Sequence, residues 1–250
     1  MLEPILQDFL DKWVYPTGFS GPGAEFRLKE TKRFIPVWNN VVIGALHKAN
    51  EQLNSENEDW KRNGALGGYS GEGPHMSIKQ MSTQLLSVSI PQQAKYIDLQ
   101  RMRARQVWDE VKHGSLHADI LLRGGWIKKE TELLDDPRAA NQGDPAYFGL
   151  TAMVPHIHPL SRAGQNYLEE AVACLRLNAV LSVMEDPLVR HESDSQLLEE
   201  MMHFIEGKYQ IDAYALTPED QEPIKAVFDY LLRPWGRSAA HAKEAEHAKK

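Results

Sequence analysis

The sequence has only one cysteine, no hydrophobic run of membrane-spanning length and no excess of basic residues. Cys174 alone cannot form an intramolecular disulfide or a cysteine-based zinc site, and it fits a reducing compartment. No apolar run approaches the roughly 20 residues that a membrane helix needs. The net charge of −7 argues against a general nucleic-acid-binding protein. The acidic N-terminal segment lacks the basic start of a secretory signal, so we expect a cytoplasmic protein.

Strand-like alternation of apolar and polar residues is also nearly absent, whereas helical spacing of apolar residues runs through most of the chain. The 250 residues are 42% hydrophobic and 25% charged, which is typical of a globular protein. These features predict an all-α fold in the form of a helical bundle. The predicted helices cover residues 3–14, 30–53, 75–88, 91–123, 161–184, 193 or 195–214, and 217–232.

The remaining segments are predicted connections. Residues 15–27 are rich in glycine and proline, and residues 63–74 form a glycine-rich connector that matches no phosphate-binding motif. Residues 124–160 form a long crossover. We expect a single helical domain over residues 1–236, followed by a charged flexible tail at 237–250 with no apolar anchor beyond alanine.

Two predicted helices carry the same short motif, an acidic residue followed by Glu-x-x-His. The first is Asp109-Glu110-Val111-Lys112-His113, and the second is Glu199-Glu200-Met201-Met202-His203. Residues at i and i+3 share one face of a helix, so each Glu and His can bind the same metal ion. One such motif arises easily by chance, but two on separate helices indicate a metal centre with nitrogen and oxygen donors.

The run Asp-Glu-x-Lys-His resembles the Asp/Glu-Glu-x-Arg-His signature of the diiron-carboxylate proteins. These include the small subunit of ribonucleotide reductase, bacterial multicomponent monooxygenases, and the phenylacetyl-CoA and benzoyl-CoA epoxidases. The run ARQVWDEVKHGSLHADILLRGG looks most like the epoxidase group. The resemblance covers roughly residues 75–215 and implies a ferritin-like four-helix bundle with extra N- and C-terminal helices. It implies that the iron ligands are Glu110, His113, Glu170, Glu200 and His203.

A ferritin-like site also needs one Glu from each of the other two helices. In the family this Glu usually lies about 30 residues before each Glu-x-x-His, which leads from Glu200 to Glu170. The neighbouring Glu169 is the alternative. Glu170 belongs to an apolar helical stripe that faces the core, and Glu169 to a polar stripe that faces water. A buried carboxylate is costly unless it is paired or binds metal, so Glu170 is the candidate ligand.

The same spacing from Glu110 leads to Gln80, which is not an acid and departs from the family pattern. A glutamine can bind through its carbonyl oxygen but cannot bridge two ions as a carboxylate does. Glu72 and His75 are nearby alternatives for the missing ligand. A site with one carboxylate fewer would hold its first ion weakly, or would hold only one ion.

Other side chains near the motifs have two interpretations each. Asp109 and Glu199 fit the outer carboxylates that accept a hydrogen bond from a metal-bound imidazole, or they are surface charges. His117 shares the face of His113, where it would line the pocket, transfer protons or be a hydrogen-bonded core histidine. Five large side chains would form an apolar pocket or simply pack in the core: Trp108, Tyr167, Met201, Met202 and Phe204.

The resemblance implies a non-haem diiron oxygenase or oxidase, an oxidoreductase that uses O2 to oxygenate a small organic substrate. Such an enzyme has two iron ions, although manganese or a mixed iron–manganese pair accepts the same ligands. It also implies an electron-donating reductase and an oligomeric assembly, with no nucleic-acid or membrane partner. Two alternatives remain: a structural subunit of an oxygenase complex with a decayed site, and a ferritin-like ferroxidase.

Overall fold

The computed structural model describes residues 2–72, 96–135 and 158–247. Within these ranges every regular element is a helix, so the predicted all-α class is confirmed. The α-helices are α1 (Pro4–Phe9), α2 (Pro22–Thr31), α3 (Ile35–Leu53), α4 (Asp59–Glu72), α5 (Ile97–Arg123), α6 (Pro159–Val183), α7 (Pro187–Tyr214) and α8 (Pro218–His247). A π-helical segment, Leu10–Val14, continues α1, and a short 3-10 helix covers Glu130–Leu134.

Proline marks where many of these helices begin. Five of the eight α-helices, α1, α2, α6, α7 and α8, have proline as their first residue. Proline suits this position because the first helical N–H groups have no partner within the helix and the ring presets the backbone angle. None of the described helices combines the length and the apolar character that crossing a membrane requires.

The chain divides into two compact units. Unit 1 consists of Met1–Asn50, His158–Val183 and Leu197–Lys250, and unit 2 consists of Glu51–Ile157 and Met184–Gln196. Helix α7 therefore starts in unit 2 and continues in unit 1. The prediction of a single domain over residues 1–236 stays a prediction.

Unit 1 has a core of aromatic rings around α6 and α7. Tyr167 of α6 stacks on Phe204 of α7 with ring centroids 5.1 Å apart. The two helices approach closely at Gly207, where an added Cβ would lie 2.7 Å from the backbone nitrogen of Tyr167. Since Gly207 is one turn after His203 and Tyr167 is one turn before Glu170, this close contact places the two predicted ligands on facing turns.

The core of unit 2 joins α4 to α5. Its buried members are Ala65, Leu66, Tyr69, Ala118, Ile120, Leu121 and Leu133. The prediction of a glycine-rich connector over residues 63–74 was therefore wrong where the structure describes it, because α4 is helical through Glu72. Each glycine costs a helix about 1 kcal/mol relative to alanine, but tertiary packing routinely overrides such preferences. At Gly68 the absent side chain leaves room for α5, as described below.

Several predicted helix boundaries also differ from the structure. Helix α2 starts at Pro22 inside the predicted loop 15–27, and the helix predicted over 30–53 is interrupted between α2 and α3. The predicted break at Asp186-Pro187 is present, but α7 begins at Pro187 rather than near Ser193. Asp186 caps this start, because its Oδ1 accepts hydrogen bonds from the backbone N–H groups of Leu188 and Val189, both at 3.1 Å.

Helix α8 continues past its predicted end at Leu232 and runs to His247. It includes Pro234, which has no backbone N–H and so leaves one helical hydrogen bond unmade. The predicted helices at 75–88 and the first residues of 91–123 lie outside the described residues. Gln80 and His75 lie there as well.

Candidate metal sites

Unit 1 contains a buried cluster of three potential metal ligands, which we call the α6–α7 triad: Glu170, Glu200 and His203. One ligand atom of each residue lies within 4.8 Å of one ligand atom of the others. His203 Nδ1 is 3.2 Å from Glu200 Oε2 and 4.0 Å from Glu170 Oε1. All three side chains are buried. The triad can hold a metal ion with two carboxylate oxygens and one imidazole nitrogen.

The structure separates the two neighbouring glutamates of α6. Glu170 is buried and faces His203. Glu169 is only half-buried, and its Oε2 accepts a hydrogen bond of 2.8 Å from Gln165 Nε2. This is the placement expected from the apolar stripe that contains Glu170.

A buried thiol, that of Cys174, lies beside the α6–α7 triad, and its pKa depends on the negative charge of the triad. Burial raises the pKa of Cys174 well above its usual value, and the carboxylates of Glu200 and Glu170 raise it further. The thiol therefore remains neutral. Two carboxylates this close together in buried surroundings also repel each other, and a bound cation would remove that repulsion.

Unit 2 contains a second cluster, the α4–α5 triad: Glu72, Glu110 and His113. One ligand atom of each residue again lies within 4.8 Å of the others. His113 Nδ1 is 3.5 Å from Glu110 Oε2, and the imidazole is completely buried. Gln106 Nε2 donates a 3.2 Å hydrogen bond to Glu110 Oε1 from the preceding turn of α5. The donor set, two carboxylates and one imidazole, is the same as in the α6–α7 triad.

Glu72 is the residue that sequence analysis left undecided. It lies on α4, and it supplies the carboxylate beside Glu110 and His113. The spacing of about 30 residues pointed to Gln80 instead, which lies outside the described residues. The sequence feature that would have identified Glu72 is a continuous helix over residues 59–72. The glycines of this segment made that helix hard to recognise. Among the described residues, each Glu-x-x-His motif thus has a second carboxylate from another helix.

His117 lies one turn after His113 and contacts two further carboxylates. Its Nε2 is 3.0 Å from Glu72 Oε2, and its Nδ1 is 2.5 Å from Glu192 Oε1 of α7. Burial alone would lower the pKa of His117, but the hydrogen bonds to Glu192 and Glu72 outweigh it and raise the pKa to about 10. Of the sequence interpretations, the structure shows a buried, hydrogen-bonded histidine.

The other predicted neighbours occupy different surroundings. Asp109 is buried, with its Oδ2 3.6 Å from Arg105 Nε, and its predicted outer role stays a prediction, as does that of Glu199. Of the predicted pocket residues, Tyr167 and Phe204 pack in the core of unit 1. Trp108 is 72% exposed, so it cannot belong to a buried apolar pocket. A groove in unit 1, with a volume of about 490 Å³, lies elsewhere, between α1 and α6.

Gly68 provides a test of how closely α4 must approach α5. A Cβ added at Gly68 would lie 2.2 Å from the ring of His117, whereas a Cβ at Gly67 would meet nothing within 4 Å. We expect Gly68→Ala to displace His117 and destabilise the protein by about 1–3 kcal/mol, as overpacking does. Gly67→Ala is the matched control and should stabilise α4 by up to about 1 kcal/mol. Urea unfolding of the two variants measures both effects. Equal stabilities would contradict the close approach.

Both triads pass a simple chemical test as metal sites. Carboxylate and imidazole donors suit iron, manganese and zinc, and the burial of the α6–α7 triad would shield a bound ion there from competing water. In comparisons with family models, curated proteins and solved structures, no match to this chain was found.

Proposed function

We propose that this chain is a non-haem diiron oxygenase or oxidase with a ferritin-like helical bundle. The observation that carries the proposal is the repeated donor set: each Glu-x-x-His motif has one additional glutamate from a different helix beside it. This is the pattern of ferritin-like dimetal carboxylate proteins, in which two helices supply Glu-x-x-His and two supply a single Glu. That the two ions act as a pair is inferred from these sequence motifs and from the family resemblance.

In this proposal the α6–α7 triad would hold one ion and the α4–α5 triad the other. The four carboxylates would together offset the charge of two divalent ions, and the two neutral imidazoles would add nitrogen donors. When bound, a diiron pair would supply the electrons and the binding positions for reductive activation of O2. The protein holds the ligand atoms in buried or half-buried positions, and burial keeps the neighbouring Cys174 thiol protonated.

The proposed activity has requirements beyond this chain. An oxygenase needs a small organic substrate to accept the oxygen atom and a reductase to return the metal to its reduced state. A structural subunit with a decayed site is a weaker alternative, because its main argument was the glutamine at position 80. Glu72 lies beside Glu110 and His113 and would supply the carboxylate that position 80 lacks.

Iron binding and oxygen consumption test the proposal directly. The full chain, loaded anaerobically with Fe(II) and desalted, should retain about two iron ions, and Glu110→Ala and Glu170→Ala should each retain fewer. Glu169→Gln is the matched control, because Glu169 is the neighbouring half-buried carboxylate on α6. Reduced protein exposed to O2 should consume it in the wild type and in this control.

Different outcomes separate the alternatives. Mössbauer spectra of the oxidised protein should show two antiferromagnetically coupled ferric ions. Mineral formation under excess Fe(II) without substrate oxidation would favour the ferroxidase. Failure to bind iron, or equal binding by the wild type and both alanine variants, would overturn the proposal.

A further inference from the structure

His117 forms a bridge between two carboxylates that come from different helices. Glu72 of α4 faces its Nε2, and Glu192 near the start of α7 faces its Nδ1. The two ring nitrogens point in different directions, so the two carboxylates lie on different sides of the ring. The imidazole forms a hydrogen bond with Glu72 through Nε2 and an ion pair with Glu192 through Nδ1.

The surroundings of His117 hold the ring in this orientation. The absent side chain of Gly68 leaves the space that the ring occupies. Gln196, one turn after Glu192 on α7, donates a 3.3 Å hydrogen bond from its Nε2 to Glu192 Oε1 and so holds the carboxylate that faces His117. His117 is therefore fixed by contacts from α4 and α7, and both helices contribute to unit 2.

Glu72 is the most exposed ligand of the α4–α5 triad. Its side chain is 27% exposed, against 13% for Glu110 and 0% for His113. A glutamate side chain has several rotatable bonds, so holding one conformation costs conformational entropy. A hydrogen bond from a fixed donor already restricts the glutamate side chain, so less conformational entropy is lost when the glutamate binds metal.

We infer that His117 is a positioning residue that orients Glu72 as a metal ligand, and that Glu192 in turn orients His117. This inference rests on the proposed function, because it requires that the α4–α5 triad binds metal. Outer hydrogen-bonding partners of metal ligands typically change affinity by about 10–100-fold when removed. His117 does not itself need to contact the ion.

The test measures Co(II) affinity in the full chain carrying Glu170→Ala. In this parent variant only the α4–α5 triad keeps all three of its ligands. Competition titration with a chromophoric chelator gives the affinity, and visible absorption of Co(II) reports its coordination. His117→Leu keeps the bulk of the ring but donates no hydrogen bond, and His117→Gln keeps one donor. His191→Gln is the matched control, because His191 is an exposed histidine on α7.

We expect His117→Leu to weaken Co(II) binding by about 10–100-fold, with His117→Gln in between and His191→Gln unchanged. Glu192→Gln leaves His117 in place and should weaken the same affinity by a smaller factor. It keeps the inference testable if His117→Leu does not fold. Leucine and glutamine variants that bind like the parent would overturn the inference while leaving the proposed function intact. If the wild type binds no Co(II), and the Glu110→Ala and Glu170→Ala single variants also bind none, both proposals fail.

Discussion

Glu200→Gln should abolish tight metal binding at the α6–α7 triad and at the same time stabilise the metal-free protein. The loss follows because a buried glutamate beside His203 is replaced by a neutral amide that binds divalent ions poorly. We expect the affinity to fall by more than about 100-fold, since even outer partners of metal ligands account for 10–100-fold. Competition titration with Co(II) or Fe(II) measures this effect.

The expected gain in stability has an electrostatic cause. Glu200 and Glu170 hold carboxylate oxygens within 4.8 Å of each other in buried surroundings. Removing one charge relieves a repulsion of up to about 3 kcal/mol at an effective dielectric constant of about 20. For a chain of this size each kcal/mol corresponds to a rise of about 2–4 °C in the Tm of the metal-free protein.

Glu169→Gln is the control for this prediction, because it removes a half-buried carboxylate from the same helix as Glu170. It should change the metal affinity little. A Glu200→Gln protein that is less stable without metal would indicate that Glu200 has a structural role. A triad built for a ligand is instead expected to lower the stability of the empty protein.

Arg27→Met should be among the most destabilising single substitutions in unit 1. Arg27 and Asp212 are both almost completely buried and form a bidentate pair, with distances of 2.6 Å from Nε to Oδ1 and 3.1 Å from Nη2 to Oδ2. Arg27 Nη1 also donates a 2.8 Å hydrogen bond to the backbone oxygen of Val14, where the π-helical segment ends. Burial alone would lower the pKa of Arg27, but the hydrogen bond to Asp212 raises it, so the guanidinium stays charged.

Removing only the guanidinium leaves the Asp212 carboxylate buried without this partner. Breaking a buried pair in this way costs about 3–5 kcal/mol, which urea unfolding would detect as a lower midpoint. The double variant Arg27→Met/Asp212→Leu should recover much of the loss, because it removes both buried charges. Arg123→Met is the control: Arg123 pairs with Asp119 on the exposed surface of α5 and should cost less than about 1 kcal/mol. Similar losses for Arg27→Met and Arg123→Met would contradict this assignment.

The predictions that depend on local helical geometry agree with the structure. Glu110 and His113, and likewise Glu200 and His203, lie side by side because residues three apart share a face in any α-helix. The burial of Glu170 follows from the apolar stripe around it. The all-α class follows from helical periodicity and from the near absence of alternating segments.

The glycine-rich segment shows where local reasoning was misleading. Its composition favoured a loop, because glycine is a poor helix former when nothing compensates for it. The compensation is the packing of α4 against α5, with Gly68 directly beside His117. Only contacts between helices distinguish such a segment from a true connector.

The amino-acid sequence by itself determined the helical class, the two Glu-x-x-His pairs and the burial of Glu170, since each depends on residues within a few turns of one helix. Only the tertiary structure decided that Glu72 completes the α4–α5 triad and that His117 bridges Glu72 and Glu192. These partners are far apart along the chain. Their contacts depend on how α4, α5 and α7 pack within unit 2, and no local spacing encodes that packing.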